Sequence, residues 1–180
     1  SQGEKELESL RRVGTLMDDG VKVQDYTVMQ TKEDEAFAHG VRSYIKNGMV
    51  REITPGLVDA MIESFVPDPR LAVFTHTAGG VVKRVGELDT AFPHRNAETM
   101  IMVGGGWMDP AMDDEVIAIA RNWFRQLEPF TGGYYDNIQA DTSAPNSGSF
   151  GPAYERLAQI KGQYDPGNQF RLNRNIEPAA

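Results

Sequence analysis

The longest helical pattern in the sequence constrains the fold most. Asp109 and Pro110 are typical of the start of a helix, and apolar residues then recur at helical spacing as far as Leu127. The apolar positions of this stretch are Val116, Ile119, Ala120, Trp123 and Leu127. Such a stripe has to be buried against other elements of the same chain.

The remaining segments supply strands and further helices. Apolar, β-branched and aromatic residues predict strands at 40–50, 71–77, 81–85, 99–103 and 133–138, with a short one near Tyr26. Helical spacing predicts helices at 4–13, 54–65 and 152–164, the last with Tyr154, Leu157, Ile160 and Tyr164 facing inward. Strands alternating with helices, and glycine breaks typical of hairpins, indicate an α+β fold: an antiparallel β-sheet with helices packed on one face. At 180 residues, the chain is expected to form a single domain over 1–180.

Composition excludes several classes of function. The net charge of −8 argues against nucleic acid or an anionic membrane as the main partner, because both require clustered Lys and Arg. There is no cysteine, so disulfides and thiolate chemistry are impossible. No apolar run approaches the length of a membrane span, and nothing suggests secretion, so a cytoplasmic location is expected.

Local motifs exclude other classes. The Gly104–Gly106 run lacks both the GxGxxG pattern and the Lys-Ser/Thr of a phosphate loop, so a strand end that needs a positive φ is the better interpretation. His39, His76 and His94 are far apart in sequence, which predicts no metal site. No serine lies in the GxSxG context of an α/β-hydrolase.

Two local groups carry possible chemistry. On the predicted strand at 133–138, Tyr135 and Asn137 would point to the same face and place a phenol beside an amide. A phenol can accept a proton where its environment favours the anion, and an amide can bond the edge of a heterocycle; a tyrosine packed in the sheet has about equal weight. The adjacent His94 and Arg95 could hold an anion or form a salt bridge at a sheet edge.

The closing sequence FGPAYERLAQIKGQYDPGNQFRLNRNI, residues 150–176, resembles the carboxy-terminal signature of the berberine-bridge-enzyme-like FAD-linked oxidases. Several upstream pieces occur in the family's order and at similar spacing. They are Gly3-Glu4, Tyr26-Thr27 with Gln30, the YIK run at 44–46, Gly79-Gly80 with Arg84-Val85, the TAFPHR run at 90–95, Trp107, the LEPFT run at 127–131 and GYYDN at 133–137. The resemblance therefore covers nearly the whole chain.

The resemblance implies a fold and a partner. The chain is similar to the substrate or cap domain of these oxidases, an elaborated ferredoxin-like fold, in which 150–180 form a closing helix and tail that pack on the flavin domain. The sequence begins where that second domain would begin and lacks the FAD-binding domain. The cofactor FAD would thus be held mainly by an FAD-binding domain in cis or in trans, and is not expected to bind this chain alone.

The resemblance also implies roles for individual residues. Tyr135 and Asn137 would lie nearest the flavin ring, with Tyr135 as the base that takes the substrate proton. The residues expected to bind the small-molecule substrate are Arg95, Thr99, Met100 and Met102. Relatives often carry a tyrosine and a carboxylate at the positions that align with Thr99 and Met102. This strand has threonine and methionine at those positions, and it also carries Met100. The expectation is therefore either an apolar or aromatic substrate or an inactive site.

The expected function is the substrate-binding and active-site-covering portion of an FAD-dependent oxidoreductase that oxidises a C–H bond of a small organic molecule. Such a portion is not expected to be active alone. The alternative is a stand-alone, non-catalytic module that binds a ligand or dimerises. An exposed sheet face bearing Met and Tyr would favour aggregation unless it were covered, so a homodimer is expected in that case.

Overall fold

The computed structural model describes residues 2–35, 38–141, 146–172 and 174–179. The chain divides into two compact units, Ser1–Ala38 and His39–Ala180. The larger unit contains the sheet and every candidate site residue. The interpretation of 1–180 as one domain stays a prediction.

The amino-terminal unit is helical where it is described. Helix α1 covers Gln2–Arg11, close to the prediction, and helix α2 covers Tyr26–Gln30, followed by a 3₁₀ turn at Thr31–Glu33. The strand predicted near Tyr26 is therefore wrong. A strand needs a neighbour to pair with, whereas this short segment forms local bonds, from Val28 N and Met29 N to the carbonyl oxygen of Asp25.

The larger unit is built on a three-stranded sheet in the order β1-β3-β2. Strands β1 (Arg42–Val50) and β2 (Leu71–Thr77) both pair antiparallel with the central β3 (Thr99–Trp107). These strands confirm the predictions at 40–50, 71–77 and 99–103, although β3 continues further than expected. The prediction at 81–85 is wrong, because that segment contains a 3₁₀ turn at Val82–Arg84.

Strand β3 continues because its glycines allow neighbouring strands to come close. A Cβ atom on Gly104 would lie 2.3 Å from the carbonyl oxygen of Tyr44 on β1, and one on Gly105 would lie 1.9 Å from that of Arg70, just before β2. Neither glycine has a positive φ in the left-handed region. The prediction of a strand end at Gly104–Gly106 is therefore wrong, and the requirement for glycine is steric.

Two helices cover one face of the sheet. Helix α3 (Pro55–Glu63) is capped by Thr54, whose Oγ1 accepts a bond of 3.2 Å from Leu57 N. Helix α4 (Asp113–Leu127) follows a 3₁₀ turn at Pro110–Met112. The buried side chains of α4 are Val116, Ala120, Trp123, Phe124 and Leu127, and they form one apolar core with the side chains of β1 and β3 on that face. The α+β fold with helices on one face is confirmed.

The carboxy-terminal part contains short helical elements. Helix α5 covers Asn146–Phe150, and a 3₁₀ turn at Gly151–Ala153 leads into α6 at Tyr154–Tyr164. Helix α6 has no buried residue, so the predicted inward face is only half-buried at best, and Tyr164 is 79% exposed. Over the parts of the chain that the structure describes, no helix is both long enough and apolar enough to cross a bilayer.

Candidate functional site

Residues 132–141, here called the site segment, run along the outer edge of β1. At one end, Met49 N donates to Gly133 O and Gly132 N donates to Met49 O, each at 2.8 Å. At the other end, Ala140 N donates to Ile45 O at 2.9 Å. Between these anchors the segment bulges into a 3₁₀ turn at Asp136–Ile138, so the strand predicted at 133–138 is wrong.

A buried asparagine on β1 fills the gap that the bulge leaves. Asn47 is 2% exposed, and its Oδ1 accepts a hydrogen bond of 2.6 Å from Tyr135 N. Its Nδ2 donates to Tyr135 O at 2.8 Å and to Gln139 Oε1 at 3.3 Å. Sequence reasoning missed Asn47, although a small amide within the YIKNGMV strand was the available signal.

The 3₁₀ turn places Tyr135 and Asn137 side by side. Asn137 Nδ2 donates a hydrogen bond of 2.7 Å to Tyr135 Oη, and the Tyr135 ring meets Phe92 edge to face at a centroid distance of 6.1 Å. The predicted adjacency of the phenol and the amide is thus present, but it arises from a turn instead of strand alternation. Their roles toward a cofactor or substrate stay predictions.

The pair lies in the wall of an open cavity of about 760 Å³. Aromatic and apolar side chains form much of this wall, and amide and charged groups come from the site segment and the tail. The lining residues that matter for its chemistry are Phe92, Tyr135, Asn137, Gln139, Phe150 and Leu172. A flat heterocycle with hydrogen-bonding edges would find both an apolar surface and amide partners there.

The methionines of β3 lie beneath the site segment. Met100 and Met102 are 8% and 4% exposed, and they form a second apolar cluster with Met49, against which Tyr135 packs. They support the segment from below and do not line the cavity. Thr99 faces the other side of the sheet, and its Oγ1 donates to His76 O at 3.1 Å.

Arg95 holds the loop that precedes β3. Its guanidinium donates to Phe92 O at 3.1 Å and to Thr90 Oγ1 at 2.6 Å, and it stacks on the Phe92 ring. The structure therefore does not bring Arg95, Thr99, Met100 and Met102 together in the cavity wall. Their role in substrate binding stays a prediction.

His94 ties the same loop to the site segment. Its Nε2 lies 3.1 Å from Tyr134 O and 2.9 Å from Ser149 O, so a proton on this nitrogen can be shared between two carbonyl oxygens. Burial lowers the pKa of His94, although the two carbonyls act in the opposite direction. A neutral imidazole in this position is a structural link.

The tail folds back on the site segment through Arg174. The Nε atom of Arg174 forms an ion pair of 2.8 Å with Asp136, the residue between Tyr135 and Asn137, and both charged side chains are 12% exposed. Arg174 also stacks on the Tyr134 ring and donates to its hydroxyl at 3.2 Å. The turn that carries the candidate pair is thus held by the tail as well as by β1.

The far end of the site segment is held by charges from β1 and α4. Asp141 pairs with Arg121 at 2.6 Å and with Lys46 at 3.6 Å, and Arg121 Nε donates to Tyr44 Oη at 3.0 Å. Burial raises the pKa of Asp141, but the hydrogen bonds from Arg121 and Tyr44 and the charges of Arg121 and Lys46 together outweigh it, so the pKa is lowered. Burial raises the pKa of Tyr44 to about 12.

The donor set suits the ring of a flavin and not its pyrophosphate. The Gly104–Gly106 run lies inside the sheet, with neighbouring backbones too close for a phosphate to enter. Within the described residues, no cluster of His, Asp or Glu could hold a metal ion. The aromatic side chains and amides of the cavity wall are of the kinds that suit the ring of a flavin, and the Gly104–Gly106 run offers no phosphate loop.

Comparison with known proteins identifies proteins that this chain resembles. Residues 140–177 match the family described as berberine and berberine like. An FAD-linked oxidoreductase of Dictyostelium discoideum is 25% identical over 185 residues, which cover 98% of this chain and 40% of that protein. Berberine bridge enzyme-like 2 of Arabidopsis thaliana is 26% identical over 70% of this chain and 27% of its own length.

A solved structure shares the fold. The crystal structure of CrmK, a flavoenzyme involved in the shunt product recycling mechanism in caerulomycin biosynthesis, superposes with a TM-score of 0.70 and 27% identity. The match covers 79% of this chain and 34% of CrmK. The chain thus spans well under half the length of each of these relatives.

The chain is therefore an α+β relative of FAD-linked oxidoreductases. The match to the family described as berberine and berberine like is confined to 140–177, which span the end of the site segment, α6 and most of the tail. The resemblance to the berberine-bridge-enzyme-like FAD-linked oxidases is confirmed.

Proposed function

We propose that this chain forms the substrate-binding and active-site-covering portion of an FAD-dependent oxidoreductase that oxidises a C–H bond of a small organic substrate. The observation that carries this proposal is the Tyr135–Asn137 pair, joined by a 2.7 Å hydrogen bond in the wall of an open, partly aromatic cavity. A phenol beside an amide can exchange a proton with a substrate and hold a polar ring edge.

The chain's own residues would act in distinct ways. Bound FAD would accept a hydride from the substrate carbon. Tyr135 Oη would take the proton that leaves the neighbouring alcohol or amine. The hydrogen bond from Asn137 Nδ2 fixes the position of Tyr135 Oη. The amide of Asn137 also has a carbonyl oxygen and a second N–H that would bond the flavin ring or the substrate. Phe92 and Phe150 would exclude water from the apolar part of the substrate.

The partner in this proposal is an FAD-binding domain, in cis or in trans. Two apolar side chains of the tail are left in solvent: Phe170 is 82% exposed and Leu172, which lines the cavity, is 86% exposed. A domain seated over the cavity would bury both and close the open side. It would also supply the main contacts to the FAD phosphates.

Replacement of the phenol tests the chemistry. In the flavoprotein that combines this chain with an FAD-binding domain, Tyr135→Phe is expected to lower turnover about 10²- to 10⁴-fold, because it removes the proton acceptor and leaves the ring. Tyr26→Phe, at an exposed tyrosine of α2, is the matched control and should keep wild-type turnover. Equal turnover of the Tyr135 variant and the wild type would remove the proposed role.

Titration with FAD tests the covering role. The chain alone should show no bound-flavin spectrum when FAD is added, whereas its addition to a flavin-loaded FAD-binding domain should change the flavin absorbance. Leu172→Asp should weaken that association. Tight binding of FAD to the chain alone, or self-association through the same surface with no effect on the flavin, would contradict the proposal and favour the stand-alone module.

A further inference from the structure

We infer that Asn47 is the positioning residue of the candidate site: its buried amide holds both backbone groups of Tyr135 and thereby fixes where the phenol lies in the cavity wall. The consequence for turnover rests on the proposed function. The contact itself does not, and it can be tested separately.

Asn47 is a buried polar side chain among apolar neighbours, which indicates that its hydrogen bonds are important. Asn47 lies on β1 beneath the site segment, on the face that also carries the side chains of Met49 and Met102. A polar group in such surroundings is costly unless it is bonded, and an apolar side chain of similar size would fill the space at lower cost. The value of an amide here is therefore its hydrogen bonds.

Those hydrogen bonds reproduce a strand contact with a side chain. On either side of Asn47, β1 reaches the site segment through its backbone, at Met49 and at Ile45. At Asn47 itself, the side-chain oxygen takes the Tyr135 N–H and the side-chain nitrogen gives a bond to the Tyr135 carbonyl. The segment is thus held one side chain away from the edge of the sheet.

The separation between the site segment and the edge of β1 leaves room for the 3₁₀ turn at Asp136–Ile138. A segment bonded directly to β1 along its whole length would be extended, and Tyr135 and Asn137 would then follow strand geometry. Held away from the edge, the chain turns at Asp136–Ile138, and this turn brings Asn137 Nδ2 onto Tyr135 Oη. Gln139 Oε1 then accepts from both Asn47 N and Asn47 Nδ2, which closes the turn.

The contact is tested by amide hydrogen exchange in the 180-residue chain. Asn47→Leu removes both bonds to Tyr135, whereas Asn47→Asp keeps the shape and the acceptor but loses the donor. We expect exchange of the Tyr135 amide to be about tenfold faster or more in the leucine variant and to rise less in the aspartate variant. Asn122→Leu, at an exposed position of α4, is the matched control.

The Met49 amide, bonded to Gly133 O, reports whether the edge of the sheet is intact. If it stays protected and the Tyr135 amide is as slow as in the wild type in both variants, the inference is overturned. If the leucine variant does not fold, the near-isosteric aspartate variant decides. Faster exchange confined to the turn supports the inference.

The consequence for the site is tested in the flavoprotein. Asn47→Asp should lower turnover and change the pH profile of kcat, since it alters the setting of Tyr135 without touching the substrate. If Tyr135→Phe abolishes turnover and Asn47→Asp changes neither turnover nor the pH profile of kcat, Asn47 is not a positioning residue. If Tyr135→Phe itself has no effect, the proposed function fails, and amide exchange still decides whether Asn47 holds Tyr135.

Discussion

The two faces of the sheet are stabilised in different ways. One face is covered by α3 and α4, and its contacts are apolar side chains in regular elements. The other is covered by the irregular site segment, which is held by the Asn47 amide, the Arg174–Asp136 ion pair and the His94 ring. The first face holds the larger apolar core, whereas the second has a smaller apolar cluster and places polar groups at an open cavity. The comparison indicates that this fold can support chemistry on the face covered by the site segment, because hydrogen bonds and ion pairs hold that segment in place.

The largest effect is expected on the helix face. Phe124→Ala would remove a ring that is 2% exposed in the core between α4 and the sheet. The expected loss is about 3–5 kcal/mol of unfolding free energy, from transfer and cavity terms together. Urea denaturation measures it. A loss no larger than that of an exposed substitution on α4, such as Arg125→Ala, would contradict the assignment of this face as the main core.

The close approach of the strands should give the next largest effect. Gly105→Ala would place a methyl group 1.9 Å from the Arg70 carbonyl oxygen, so the edge strand β2 has to move. About 1–3 kcal/mol of unfolding free energy should be lost. Gly79→Ala, where nothing lies within 4 Å of the added methyl, should be neutral or slightly stabilising. Equal effects at both positions would show that the packing of β3 is looser than described.

On the second face, the tail should be coupled to the turn. Arg174→Ala and Asp136→Asn break the same ion pair, so their effects should not add. We expect a coupling of about 0.5–3 kcal/mol in a double-mutant cycle measured by urea denaturation. Additive effects would mean that the tail does not hold the turn that carries Tyr135 and Asn137.

The smallest effect should appear as a pH dependence. Burial lowers the pKa of His94 in the folded chain, so the folded state favours the neutral ring. The free energy of unfolding therefore keeps its full value above the pKa of an unfolded histidine, about 6.5. It decreases as the pH falls from there through the lower pKa of His94 in the folded chain. Unfolding free energies at pH 7.5 and 5.5 should therefore differ more in the wild type than in His94→Gln. An equal difference in both proteins would show that His94 does not contribute.

The helix face could be predicted because its signals are local. The apolar period of α4, the Thr54 cap and the β-rich composition of β1 and β2 each depend on neighbours in sequence. The site segment could not be predicted in the same way. Its GYYDNI sequence favours a strand, but a side chain distant in sequence holds it off the sheet edge.

The candidate pair shows the same limit. The adjacency of Tyr135 and Asn137 was expected from strand alternation and arises instead from the turn at Asp136–Ile138, so that expectation agrees with the structure although the element was wrong. Met100 and Met102 were placed on the correct strand. Their covering by the site segment depends on contacts that no local pattern contains.

Local sequence patterns were enough to predict the α+β class, the helix face, the family resemblance and the residues that carry possible chemistry. Periodicity, capping and motif order are properties of neighbouring residues, and so they are visible without coordinates. The folded chain alone reveals that Asn47 and Arg174 hold the turn, and that the cavity opens above the methionines instead of being lined by them. These contacts join residues far apart in the chain, and their energy depends on burial, which exists only once the chain has folded.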